Sequence, residues 1–394
     1  MRRPNAEITD CMDTFAREKL FPVIRLGMNI ADTGPEGDAP ELSEADVSRI
    51  LKIGMRQSIL PVVCKGLQKL GFSKDSFGDK AANENMLALY RSVVRDDAIE
   101  RVSRALNGAK IDYILLKGAV LKDFYPEAWM RTSFDVDVLV REDDLDKAVQ
   151  AIESATDFRY TKRNYHDVEL LSDRMQLELH FSIKESMENI DGMLGHAWEN
   201  AAPSGNGTMW RFTPEFLAFH NVTHMCYHMT QGGLGIRPFI DLWLLRNRTS
   251  CDEAALREML EKCGILTFYE KCCALSSIWM DGAAEDESLD GFEKYCLEGG
   301  VLGTSANMVV SRHRNKGGLK YVFSRLFVSR EVIESTYPKA KNKPALIPFY
   351  QVKRWFRMLN PKIRKSAVNE LNLAKKTKNE DVKAFDDLLK SVGL

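Results

Sequence analysis

Between residues 110 and 183 the hydrophobic period of the chain switches from helical to strand-like and then switches back, which limits the fold more than any other feature. Upstream, "ANENMLALYRSVVRDDAIERVSRALNGA" is amphipathic at helical spacing and stops near Gly108, where a glycine suits a helix end. Ser43, with Asp46 three residues on, marks an earlier helix start of the capping-box type. Within 110–183 the apolar runs are short: "DYILLKG", "FDVDVLV", "DVELL" and "QLELHF", the last alternating. One short helix, "EDDLDKAVQAIESA", separates them, with acids in its first turn where the helix dipole favours them. Downstream, "TPEFLAFHNVTHMCYHMTQGG" opens with Thr213 as N-cap and Pro214 at the first helical position, and ends at Gly232 and Gly233. The expected class is α+β: a small mixed-sheet core over residues 110–185, flanked by an N-terminal helical region (1–109) and a C-terminal helical region with a basic tail (186–394).

Composition removes several alternatives. An apolar content of 44% with 28% charged residues is that of a globular chain, and no apolar run reaches the ~18 residues of a membrane span. The first residues, "MRRPNAEITDCMDTF", carry two arginines without the apolar stretch of a signal peptide. Eight cysteines are scattered without a CxxC pair, so reduced thiols and a cytoplasmic location are expected. From residue 311 onward there are 20 Lys and Arg against 7 Asp and Glu, while the preceding body is acidic. Apolar residues recur in that tail (Phe323, Leu326, Phe327, Leu346, Phe349, Trp355, Phe356), so it is expected to fold back onto the body rather than trail as an arm for a polyanion.

Chemistry concentrates in "RTSFDVDVLV". Asp135 and Asp137 interrupt an otherwise apolar strand. Residues two apart on a strand share a face, so these carboxylates are neighbours that repel and shift each other's pKa. A divalent cation relieves that repulsion, and carboxylate oxygens suit Mg²⁺ or Mn²⁺. Glu178 in "QLELH" projects opposite to Leu177 and Leu179, and it joins the aspartates if the two strands pair. Three carboxylates around metal make a site for in-line phosphoryl or nucleotidyl transfer. In "LLKGAVLKDFY", the Lys117-Gly118-Ala119 turn after a strand is a candidate phosphate cradle, with Lys117 adding charge and Arg131 a second cation. His180 shares the strand face of Glu178 and is placed to contact a phosphate or the substrate; His166 is also nearby in sequence.

With these residues in view, "LLKGAVLKDFYPEAWMRTSFDVDVLV", "LELHFSI" and "RPFIDLWLL" resemble the uncharacterised bacterial nucleotidyltransferase family of the DNA polymerase beta-like superfamily. The resemblance spans about residues 110 to 245, with a weaker echo in "YPKAKNKPALIPFYQVKRWFRML". It implies metal binding by Asp135 and Asp137, and metal binding or activation of the attacking hydroxyl by Glu178. It further implies transfer of a nucleoside monophosphate from a nucleoside triphosphate such as ATP to a hydroxyl acceptor, a small molecule being favoured over nucleic acid. Two positions depart from the superfamily pattern. Ala119 stands where a glycine or a phosphate-binding serine is usual, and Glu178 is one methylene longer than the commoner aspartate.

Other readings stay open. His220, His224 and His228 lie at i, i+4 and i+8, a spacing shared by zinc ligands and by interface residues bonded to backbone or to an acid such as Asp241; the interface reading is the default, and no HExxH motif is present. "RWFRMLNPKIRK" mixes aromatic and basic residues that suit contact with RNA, a lipid surface or a phosphorylated substrate; the default reading is an amphipathic helix with apolar residues buried and basic ones solvated. Two further functional classes fit the chain. An inactive nucleotide- or metal-binding module would bind nucleotide without releasing pyrophosphate. A nucleic-acid-binding protein working through the basic C-terminal region would bind with a steep salt dependence.

Overall fold

The computed structural model describes residues 14–30, 40–300, 305–316, 327, 328, 330, 333, 337, 340, 343–356, 373 and 377–394. Its centre is a seven-stranded mixed sheet. The strands are β1 (Tyr113–Leu115), β2 (Asp135–Val140), β3 (Arg159–Arg163), β4 (Asp167–Leu171), β5 (Gln176–His180), β6 (Ala201–Pro203) and β7 (Met209–Phe212), in the order β3-β4-β5-β2-β1-β7-β6. The central β2 pairs antiparallel with β1 and parallel with β5. The α+β class expected from the change of period is the class observed.

Three strands had no counterpart in the sequence reading, for physical reasons. Every residue of β3 is exposed, so it carries no hydrophobic alternation. β6 and β7 are three and four residues long. β7 is held in place by tertiary contacts: Thr208 Oγ1 donates to the Ile111 carbonyl at 2.6 Å, and Asn107 Oδ1 accepts from the Thr208 amide at 2.8 Å.

The faces of the sheet are set by strand parity. Tyr113, Val136, Val138, Val140, Leu177 and Leu179 point to one side and form a core with Val94, Ala98 and Val102 of the long helix Gly78–Gly108. On the other side Ile114, Leu116 and Leu139 enter a larger core shared by both helical flanks. There Phe21, near the start of the chain, stacks on Trp279 with ring centroids 4.8 Å apart. Gln57 clamps the flanks together. Its Nε2 donates to the carbonyls of Cys296 and Leu297, and its Oε1 accepts from the Ile236 amide. Burying a side chain such as Phe21 or Phe239 contributes roughly 1.5–3 kcal/mol, so packing rather than surface charge joins the flanks.

The helix starts marked by Ser43 and Thr213 form as expected. Ser43 and Asp46 make a reciprocal capping box, and Thr213 Oγ1 accepts from the Phe216 amide. The tail is mixed. Helix Asn379–Ser391 buries Phe385 and Leu389 in the larger core, and Arg314 pairs with Asp386. Helix Ile347–Phe356 instead presents Phe349 and Phe356 to solvent, against the expectation of burial, because Tyr350 on its other side closes a small separate cluster with Ile333 and Ala340. Phe323, Leu326 and residues 357–365 of the basic aromatic stretch lie outside the described residues. Among the described residues no helix is long and apolar enough to cross a membrane.

Candidate functional site

Two strands set the carboxylates. In the parallel pairing of β2 with β5, Asp137 lies directly across from Glu178 and Asp135 across from Gln176. Cross-strand neighbours share a face, so Asp135, Asp137 and Glu178 project together. His180, two residues beyond Glu178, joins them. Its Nε2 lies 2.9 Å from Asp137 Oδ1 and 3.6 Å from Glu178 Oε2. Ligand atoms of Asp137, Glu178 and His180 all fall within 4.8 Å of one another, and His166 and Asp167 form a second such group with His180. The carboxylates suit Mg²⁺ or Mn²⁺, whereas imidazole is a ligand more usual for Zn²⁺ or Fe²⁺. Asp135 stands slightly apart, its Oδ1 accepting from Ser133 Oγ at 2.7 Å.

The electrostatics are uneven. Asp137 is 3% exposed. Burial alone would raise its pKa, but the Lys117 ammonium, 3.0 Å from the same oxygen, and His180 hold it well below the usual carboxylate range. Because Asp137 stays ionised it accepts, so His180 Nε2 carries the hydrogen and the buried Nδ1 is left without a partner. Glu178 moves the other way: burial, then the Asp137 charge, push it up to about 7. Two acids on one face thus have very different proton affinities, the usual condition for separate roles.

The turn before β2 differs in detail from the expected cradle. Lys117, not Gly118, has the left-handed backbone, with φ of 44°. Such a conformation in a non-glycine residue is strained, and here it sits beside the carboxylates. Gly118 is needed for closeness instead: a Cβ there would meet Ser133 Oγ at 3.0 Å and Ser133 Cβ at 3.1 Å. The following helix, Gly118–Leu121, is a single turn, so it brings little dipole, and Lys117 is the stronger attraction for an anion. Ala119 is buried, and its amide donates to the Leu116 carbonyl within the turn.

A cleft of about 280 Å³ lies between this sheet face and two helices, Pro214–Thr230 and Ile236–Arg248. Lys117, Asp135 and Asp137 line one wall, and His220, His224, His228 and Arg237 line the other. The histidine stripe therefore faces the carboxylates across a cavity. His224 Nδ1 is 2.8 Å from Glu185 Oε1, and His228 Nε2 is 3.0 Å from His224 Nε2. Burial lowers all three pKa values to about 3, so the rings are neutral. Arg237 is lowered to about 10 by burial and then by the Arg131 charge, and its Nε has no hydrogen-bond partner.

Arg131 reaches the cleft but is engaged elsewhere. Its Nε donates to both oxygens of buried Asp241 at 2.9 and 3.0 Å, and the Tyr125 hydroxyl donates to Oδ1 at 2.8 Å. This buried pair ties the β2 approach to helix Ile236–Arg248 and so sets the width of the cleft. Asp241 thus bonds Arg131 and Tyr125, not the histidines. Arg237, Glu185, Ser133 and Asp241 were not singled out as site residues. The one local signal was the "RPFID" segment, in which Arg237 and Asp241 lie one helical turn apart.

No curated protein matches the chain. A family model described as "uncharacterised nucleotidyltransferase" matches residues 43–281, which include both walls of the cleft and the buried pair that joins them. By that match over more than half its length, the chain belongs to the uncharacterised nucleotidyltransferase family.

Proposed function

We propose that the protein transfers a nucleoside monophosphate from a nucleoside triphosphate to a hydroxyl of a small-molecule acceptor, releasing pyrophosphate. The observation that carries this reading is the placement of Asp135, Asp137 and Glu178 on one sheet face beside a cleft. The family match supports the reaction class. Asp135, Asp137 and Glu178 would hold Mg²⁺ or Mn²⁺, which when bound would supply Lewis-acid stabilisation of charge on the phosphate oxygens, while the His180 Nε2–H steadies Asp137. The chain's own groups do the rest. Lys117 and Arg237, one on each wall, bind the triphosphate and orient it along the cleft. The acceptor oxygen attacks the α-phosphorus, the bond from that phosphorus to the bridging oxygen breaks, and pyrophosphate leaves. In this reading Glu178 takes the hydroxyl proton. The partly buried cleft keeps water from competing as acceptor.

The direct test incubates the protein with each α-labelled triphosphate, Mg²⁺ or Mn²⁺ and a small-molecule extract, looking for a labelled product and pyrophosphate. A specific observation favours one rival. Asp137 Oδ1 is held by both Lys117 and His180, so its charge is compensated by the chain itself without a metal ion, as in a module that binds nucleotide but does no transfer. Tight nucleotide binding without pyrophosphate release under every metal would favour that rival.

A further inference from the structure

A second cavity, about 240 Å³, adjoins the cleft and shares Arg131 and Ser133 with it. Leu60 and Pro61 come to it from the N-terminal helices, Arg91 and Arg95 from the long helix, and Trp129 and Phe134 from the segment leading into β2. Phe134 immediately precedes Asp135, yet it is 63% exposed. The Arg91 guanidinium sits 4.9 Å from its ring centroid. Arg95 is the reverse, a cation only 1% exposed. It donates to the carbonyls of Arg131 and Ala128 and to Ser92 Oγ, and its Nε lies 3.6 Å from Asp96 Oδ1, so it builds the cavity wall.

We infer that this cavity receives the nucleobase of the nucleoside triphosphate, with Phe134 as its stacking platform. The inference rests on the proposed function. Size argues for a fragment: the cavity is below the ~300 Å³ at which pockets for whole small molecules begin, whereas cavity and cleft together fall within that range. Position argues for the base. A base is one sugar away from its α-phosphate, so its pocket must open beside the carboxylates. Ser133 lines both spaces and donates to Asp135, so this one does. Chemistry agrees. Phe134 and Trp129 offer faces to a flat ring, and the more exposed Arg91 guanidinium in the same lining offers donors to carbonyl or ring-nitrogen acceptors on its edge.

Calorimetric titration of the full chain in Mg²⁺ with ATP, GTP, CTP, UTP and inorganic tripolyphosphate tests this. The best-bound nucleotide should bind at least about tenfold more tightly than tripolyphosphate. Phe134→Ala should erase that advantage and leave tripolyphosphate affinity unchanged, while Phe134→Trp should keep it. Since Phe134 is largely exposed, neither change threatens the fold. Equal binding of nucleotides and tripolyphosphate, or an advantage that survives Phe134→Ala, overturns the inference and gives the cavity to the acceptor or to no substrate. Failure of nucleotides and tripolyphosphate alike overturns the proposed function as well, and so differs from failure of the base pocket alone.

Discussion

The two walls of the cleft are built on opposite plans. The sheet wall gathers like charges and relieves their repulsion locally, with Lys117 and His180 both turned onto Asp137. The helix wall gathers titratable rings and removes their charge by burial, leaving Arg237 as the cation that faces the carboxylates from that side. In the first, charge is the purpose of the site and is held against burial. In the second, shape and hydrogen bonding are kept while charge is suppressed. On the proposed function, a triphosphate between the walls would meet anchored anions and the metal they would hold on one side, and a polar surface with Arg237 as its cation on the other.

That contrast can be broken experimentally. The largest effect is expected on the sheet wall. Asp137→Asn should lower turnover by about a thousandfold or more, since it removes ligand charge without changing volume. The fold should hold, because the Lys117 side chain is 26% exposed and can turn to solvent. Full turnover in the variant would end the assignment of that wall to metal. Next comes the joint between the walls. Asp241→Ala leaves Arg131 charged, buried and unpaired, and should cost about 3–5 kcal/mol in chemical denaturation. A loss below about 1 kcal/mol would mean that Arg131 is free to serve the cleft directly.

Smaller effects belong to the helix wall. Arg237→Ala should weaken tripolyphosphate binding by roughly ten- to a hundredfold, with little change in melting temperature. Unchanged affinity would leave Lys117 as the sufficient cation and make the helix wall a mere boundary. The smallest effect is on pH dependence. His220 is lowered from 6.5 to about 3 by burial, then by His224 and Lys117, with Glu185 opposing and His180 adding. Below about pH 6.5 the unfolded chain binds a proton there that the folded chain refuses until about pH 3, so the stability contribution is complete above 6.5 and is lost as pH falls. Melting temperature should be flat above pH 6.5 and fall below it, and His220→Leu should make the fall shallower. An identical pH profile in the variant would show that the ring is not buried neutral.

The legible parts of this protein are those with a local period. Strand parity alone puts Asp135 and Asp137 on one face, and the flanking leucines turn Glu178 to the opposite side of its strand from themselves. Caps at Ser43 and Thr213 are equally local, because a side-chain oxygen reaches an amide only two or three residues on. Arg131 is the instructive miss. As a basic residue beside Asp-x-Asp it reads as a phosphate ligand, but a carboxylate 110 positions away takes its guanidinium. The histidine stripe is legible in part: an acid does bond one of its rings, but it is Glu185 and not Asp241. Helical spacing places the three rings together but says nothing about what they face. Gly118 shows a third limit: its role depends on the distance to Ser133, fifteen residues later, not on its own backbone angles.

By itself the sequence determined the class of the fold, the strand that carries the aspartates, the side of each carboxylate and the basic turn beside them, because each follows from covalent spacing within one element. Tertiary structure alone decided that β2 and β5 run parallel in a register that sets Asp137 against Glu178. It also decided that the two helical flanks share one core, that Arg131 is committed to Asp241, and that Arg237 and the histidines form the opposing wall. The physical reason is range. Side-chain direction is set by the dihedrals of a few neighbouring residues, whereas partnership across a cleft is set by the packing of apolar surfaces hundreds of residues apart, and any charged side chain takes the nearest partner that such packing leaves it.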